Sequence, residues 1–352
     1  MAEQVETKTN KKSNIINLSI IAVIFIGLLV YMLKVDGWDN IVNVLQNIDL
    51  WWLSGGLLCM CVFWLMEGVC LYIPTKKVYP DQKFTQSLRV SMIGQLFNSI
   101  TPFSSGGQPM QAYEMTREGK NLSDSLSILL VKFIVFQTTL VLYTAIVLIF
   151  QFDFFFGLIN NFAVIAVIGF AINILVIGFL ILIGVNERAV FAMLNPIYRL
   201  LSKIRLLKNL DAKLEKLKES ISTFHDQFQV IIKEKKMLLK MSIYSIVQHT
   251  AYYCVTYMIY RAMGNSGVSI FNIIPAQAFL MMVMAFTPIP GAGIAAEGGF
   301  LLIFNTLFKK GTINMAILIW RMFTFYLPIV IGALFLVRIK RKDKKKAQAE
   351  IT

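Results

Sequence analysis

Charge is scarce in this sequence: Asp, Glu, Lys and Arg make up 15% of the 352 residues, against 57% hydrophobic residues. Soluble domains of this size carry about a quarter charged residues, so a soluble globular chain is excluded. Histidine occurs only at positions 225 and 249, and cysteine at Cys59, Cys61, Cys70 and Cys254, with no spacing that builds a metal site. No metal or cofactor is expected, and the thiols, all within apolar runs, read as buried apolar side chains. A glycine-rich loop followed by Lys and Ser or Thr is also missing, which argues against ATP as the energy source. The first apolar run is long and lacks a small-residue cleavage site, so it reads as a retained anchor and not as a removed signal peptide.

What is abundant is apolar sequence in long runs. A helix needs about 20 apolar residues to cross a bilayer. Runs of that kind occupy Ile15 to Leu33, Leu50 to Tyr72, Leu126 to Phe150, Phe162 to Val185, Leu238 to Tyr260 and Ile313 to Val337. The fold class expected is therefore an all-α polytopic membrane protein with about six transmembrane helices. Residues 1–14 form a polar tail, 15–337 the membrane domain and 338–352 a basic tail.

The net charge of +14 is distributed unevenly. With the amino terminus in the cytoplasm, the tail lysines, Lys76, Lys77, Lys83, Arg89, Arg117, Lys120, the 186–240 segment and "RIKRKDKKK" all fall on that side. The opposite side receives chiefly Lys34, Arg261, Lys309 and Lys310. This is the positive-inside pattern of a multi-pass cell-membrane protein with both termini cytoplasmic, so the basic charge points to lipid headgroups and not to nucleic acid. Within 186–240, Leu210, Leu214, Leu217, Ile221, Phe224, Phe228 and Ile231 recur three and four apart, the mark of a helix with one apolar stripe. Packing on the membrane domain and dimerisation are the two uses open to it. A second amphipathic piece, "WDNIVNVLQNIDL", places Trp38, Ile41, Val44, Leu45 and Ile48 on one face and reads as an interfacial helix.

Two stretches interrupt the apolar pattern in the same way. "ITPFSSGGQPMQAYEM" at 100–115 and "AFTPIPGAGIAAEGGF" at 285–300 share Thr-Pro, then Gly107 against Gly293 and Gln111 against Glu297. Each follows a run of about 15 residues, Phe84 to Ser99 and Phe271 to Phe286, too short or too polar to span. Two re-entrant broken-helix elements in an inverted repeat are expected, with the broken backbone lining a substrate cavity. A tight turn between ordinary packed helices is the alternative. Polar residues at membrane depth are costly and therefore informative. They are Glu67, Lys132, Gln137, Gln248, His249 and Arg321, with Glu114, Arg117 and Glu297 beside the breaks. Lys132 or Arg321 can pair with Glu67 or Glu297, and the sequence leaves the pairing open.

At these two motifs the chain resembles the lysylphosphatidylglycerol synthase transmembrane region, the flippase-like family that includes the membrane half of bacterial multiple peptide resistance factor. The resemblance runs from about Asn14 to Val337. It implies a membrane domain that moves aminoacylated phosphatidylglycerol outward, making the surface less anionic and repelling cationic antimicrobial peptides. It also implies a separate lysyl-tRNA-dependent synthase domain, for which the short basic tail after Val337 offers no room. A partner synthase or a homo-oligomer is accordingly possible, and polyprenyl-linked lipids or transferase chemistry remain the alternative readings. Carried over to this sequence, the motif places Thr101, Pro102, Ser104, Ser105, Gly106, Gly107, Gln108, Glu114, Thr287, Pro288, Pro290, Gly291, Gly293 and Glu297 around the lipid headgroup. Arg117, Lys132 and Arg321 are the candidate phosphate ligands, and His249 a further candidate lining residue. No catalytic residue is nominated.

Overall fold

The computed structural model describes residues 38, 42, 46–101, 104–158, 162–192, 210–284, 293–309 and 311–336. The expected first span, most of the interfacial helix and the basic tail lie outside them. Eleven α-helices among the described residues follow in order: α1 (Leu50–Val78), α2 (Phe84–Ile100), α3 (Gly107–Arg117), α4 (Leu122–Phe150), α5 (Phe152–Leu158), α6 (Phe162–Val185), α7 (Leu210–Lys233), α8 (Lys235–Ala262), α9 (Ile270–Met284), α10 (Gly293–Phe304) and α11 (Ile313–Arg321). The last runs on through a widened π turn, Met322–Tyr326, to Leu336. The described residues contain no strand.

Among the described residues, four helices are long and apolar enough to cross a membrane: α1, α4, Ala163–Val185 of α6, and Ile313–Leu336. α6 shows the lipid-facing pattern most clearly, with Val164, Val167, Ile168, Ile172, Ile174 and Leu175 all exposed. The span expected at Leu238 to Tyr260 forms inside α8, whose 28 residues are long enough to cross. It is missing from the four because Ser245, Gln248, His249 and Thr256 dilute its hydropathy. Those side chains are buried within the bundle, where polar partners replace water.

Contacts at the helix ends orient the bundle. The Asp49 N–H before α1 donates to the Ala262 carbonyl that closes α8, at 3.0 Å, and Lys77 near the other end of α1 pairs with Glu234 before α8, at 2.8 Å. α1 and α8 are therefore antiparallel neighbours. At the α1 carboxyl end, Tyr79 Oη donates to Asp124 at 2.6 Å, which brings the start of α4 there too.

Both broken elements are hairpins. α2, with 17 residues, reaches about 25 Å, and α9, with 15, reaches less, short of the roughly 30 Å hydrocarbon core. Arg89 on α2 pairs with Glu118 just after α3, so the first hairpin returns to the end of the bundle that holds Lys77 and Tyr79. Asn265 before α9 accepts from the Lys309 N–H after α10 at 3.0 Å, so the second returns to the end that holds Asp49 and Ala262. The two hairpins enter from opposite ends. That is the arrangement anticipated from the paired motifs, although residues 285–292, the second turn, are outside the described set.

Small residues let the first hairpin close. A Cβ on Gly94 would lie 2.3 Å from Gln111 Nε2, and one on Gly107 would lie 2.0 Å from Asn98 Oδ1, so α2 and α3 approach more closely than side chains permit. The Gly94→Val substitution is expected to destabilise the detergent-solubilised chain by about 1–3 kcal/mol through overpacking. Gly178→Ala on α6, where an added Cβ meets nothing within 4 Å, serves as its silent control in the same thermal-shift measurement.

The apolar stripe of α7 is used within the chain. Ile221, Phe228 and Ile231 are buried, and Ser127 Oγ of α4 donates to the Phe224 carbonyl at 2.8 Å. The Phe228 ring occupies the space over Gly184 of α6, where a Cβ would lie 2.4 Å away. Toward the helix start Leu217 is exposed.

Candidate functional site

The turn of the first hairpin and the end of α9 meet at a cavity of about 470 Å³, a volume within the range of small-molecule sites. From the first hairpin come Gln95, Asn98 and Ser99 on α2, Ser104 and Ser105 in the turn, and Gln108 and Gln111 on α3. Met281 and Met284 are contributed by the end of α9. α1 supplies Phe63 and Glu67, α4 supplies Lys132, Phe133, Phe136 and Gln137, and the last helix supplies Arg321, Thr324, Phe325 and Pro328. One wall thus carries amides and hydroxyls, and the other carries aromatic and aliphatic surface.

The Thr-Pro and glycine-rich motif builds the turn that presents this polar wall. Thr101 Oγ1 donates to the Phe97 carbonyl at 2.6 Å and accepts the Gly106 N–H at 2.8 Å, while Asn98 Oδ1 accepts the Gly107 N–H at 3.0 Å. Two otherwise orphaned donors at the start of α3 are satisfied in this way. Ser104 adopts φ +51°, the left-handed region that non-glycine residues rarely enter, in the short turn between the arms.

Burial accounts for the pairing of the charges. Lys132 and Glu67, on α4 and α1, form a buried ion pair, and Gln248 Nε2 donates to the second Glu67 oxygen at 2.7 Å. Arg321 Nε donates to Glu297 Oε1 at 3.2 Å, joining the last helix to α10. The Arg321 guanidinium also lies 5.3 Å from the Trp320 ring and 5.2 Å from that of Phe325. In a water-poor interior each charge requires such a counter-charge, and each pair brings a cation to the cavity with its carboxylate alongside.

Of the residues nominated from sequence, Ser104, Ser105, Gln108, Lys132 and Arg321 line the cavity, and Thr101, Gly106 and Gly107 shape the turn behind it. Glu297 reaches it through Arg321. Glu114 and Arg117 pair with each other at 2.8 Å away from the lining. His249 sits between α4 and α8, within 3.3 Å of Thr139 Oγ1 and 3.2 Å of the Phe136 carbonyl, and is also off the lining. Gly293 opens α10, and Pro102, Thr287, Pro288, Pro290 and Gly291 fall outside the described residues.

Glu67 and Gln137 stood out in the sequence only as polar residues at depth. Gln95 and Asn98 are not singled out as lining residues, although the polarity of the Phe84–Ser99 run signals them, and Gln111 enters the sequence reading only as the counterpart of Glu297 in the aligned motifs. Thr324 had no signal, because the π turn that brings it round with Arg321 leaves no mark in the hydrophobic pattern. Gln137 is held by Asn173 of α6, whose amide nitrogen donates to the Gly169 carbonyl at 2.7 Å.

A family model described as the lysylphosphatidylglycerol synthase TM region matches residues 15–332. The chain belongs to that family. A curated relative from Archaeoglobus fulgidus, described as a UPF0104 membrane protein, is 22% identical over 281 residues, covering 77% of this chain and 81% of the relative. The match to the lysylphosphatidylglycerol synthase TM region spans both hairpins and every described residue of the cavity lining. It places the chain among membrane proteins of lysylphosphatidylglycerol-related lipid handling.

Proposed function

We propose that the protein translocates a phospholipid between leaflets, with the headgroup passing through the inter-hairpin cavity and the acyl chains remaining in lipid. The observation that carries this reading is a cavity inside the bundle, walled by a polar re-entrant turn and flanked by Lys132 and Arg321. A phospholipid flips slowly because its polar head must cross hydrocarbon, and a polar path lowers that cost. In this role Lys132 and Arg321 attract the phosphate, and the amides of Gln95, Asn98, Gln108 and Gln111 replace its water. The family membership favours aminoacylated phosphatidylglycerol as the cargo. Outward movement of that lipid from a cell membrane with cytoplasmic termini would contribute to resistance to cationic peptides.

The test is reconstitution of purified chain in liposomes with fluorescent phosphatidylglycerol or its lysylated form, following leaflet exposure beside mass spectrometry of the lipids. Movement of either lipid with unchanged mass is the expected result. A new lipid species formed from lysyl-tRNA would favour the competing reading, a phosphatidylglycerol lysyltransferase. Absence of movement with both probes would refute translocation of these lipids.

A further inference from the structure

Glu67 is the one acidic side chain on the described lining, and it is already occupied. Its partner Lys132 stands on the same lining, so the pair presents an ammonium and a carboxylate together to whatever enters. The other carboxylates near the breaks are held elsewhere, Glu297 by Arg321 and Glu114 by Arg117. Beside Glu67, the Gln248 amide donates its N–H to the carboxylate, while its buried Oε1 has no hydrogen-bond partner among the described residues. Gln248 itself lies behind the carboxylate, off the lining, so Glu67 and Lys132 are the groups of this cluster that an entering molecule meets.

Resting on the translocation reading above, we infer that Glu67 and Lys132 form an exchangeable pair that selects headgroups carrying an ammonium beside a phosphodiester. In the empty cavity the Lys132 ammonium takes the place of the ligand's own. When such a headgroup enters, its ammonium takes Glu67, and Lys132 turns to the phosphate. Neither charge is left buried without a partner at any stage, which is the condition a water-poor site imposes. A headgroup with phosphate alone draws Lys132 away and strands Glu67, so it is disfavoured. A lysyl ester of phosphatidylglycerol and an ethanolamine phospholipid both carry the required chemistry.

The two halves of the pair predict opposite shifts. Purified full-length chain is stripped of lipid, offered equimolar phosphatidylglycerol, lysylphosphatidylglycerol and phosphatidylethanolamine, and the retained lipids are quantified by mass spectrometry. The unaltered chain should retain at least one ammonium-bearing lipid over phosphatidylglycerol by about tenfold, and which one identifies the natural headgroup. Glu67→Gln should abolish or invert that ratio, Glu67→Asp should preserve it, and Lys132→Met should raise it. A merely structural role would lower retention of all three lipids together and leave the ratios unchanged. Unchanged ratios in both variants, or no preference in the unaltered chain, would overturn the exchange. Opposite shifts without any leaflet movement in liposomes would leave the exchange standing and reject translocation.

Discussion

Arg321→Ala is expected to destabilise the chain by about 3–5 kcal/mol, because the substitution strands the Glu297 carboxylate in a largely buried setting. The guanidinium ties the last helix to α10 by an ion pair, and its side chain is only 5% exposed. It also packs over Trp320, a fully buried ring in the cluster that includes Phe300 and Phe304, so its loss opens space as well as removing charge. Removing both charges together should behave differently. The double variant Arg321→Met with Glu297→Gln leaves no isolated ion, and most of the lost stability should return. If Arg321 also draws the lipid phosphate, the same double variant should remain about tenfold or more impaired in leaflet exchange. Thermal unfolding in detergent and liposome transport, measured on both variants, separate the two roles. A double variant that folds and transports normally would remove Arg321 from the proposed path.

The sequence was most informative where physics forces a pattern. Apolar runs such as Leu126 to Phe150 and Phe162 to Val185 became α4 and α6 because a lipid-facing helix has little choice of composition. The short polar run before Thr101 announced a hairpin because 17 residues cannot cross and Gln95, Asn98 and Ser99 cannot face lipid. Less legible was anything fixed by the azimuth of a side chain. Glu114 and Lys132 carry the same sequence signal, an ionisable group near a membrane element. Yet the turn of α3 sends Glu114 to Arg117, while α4 turns Lys132 toward Glu67 and the cavity. His249 is another such case, since its neighbours Thr139 and Phe136 are more than a hundred residues away in the chain. The π turn after Arg321 rotates the last helix without altering its apolar character, so Thr324 and Phe325 reach the cavity unannounced. Pairing was likewise invisible: two cations and two carboxylates allow two arrangements, and helix adjacency chose between them.

Gln108→Trp is the substitution expected to block transport while leaving the fold intact. Gln108 lies in the first turn of α3, lines the cavity and is otherwise exposed, so an indole there meets open space and no packed core. Exposed positions of this kind usually change stability by no more than about 0.5 kcal/mol. The consequence for a headgroup is different. An indole is larger than the amide it replaces, and it takes space from a cavity of about 470 Å³ that must also hold a phosphate and its substituents. It also offers one donor where the amide offered donors and an acceptor. Leaflet exchange should therefore fall by about tenfold or more, the equivalent of at least about 1.4 kcal/mol at the barrier. Gln108→Ala widens the cavity and should retain most of the activity, which distinguishes obstruction from loss of one hydrogen bond. The informative control is Tyr113→Trp, on the same helix at an exposed position off the cavity lining, where equal bulk should cost nothing. Equal transport by the Gln108 and Tyr113 variants would mean that the headgroup takes a route outside this cavity.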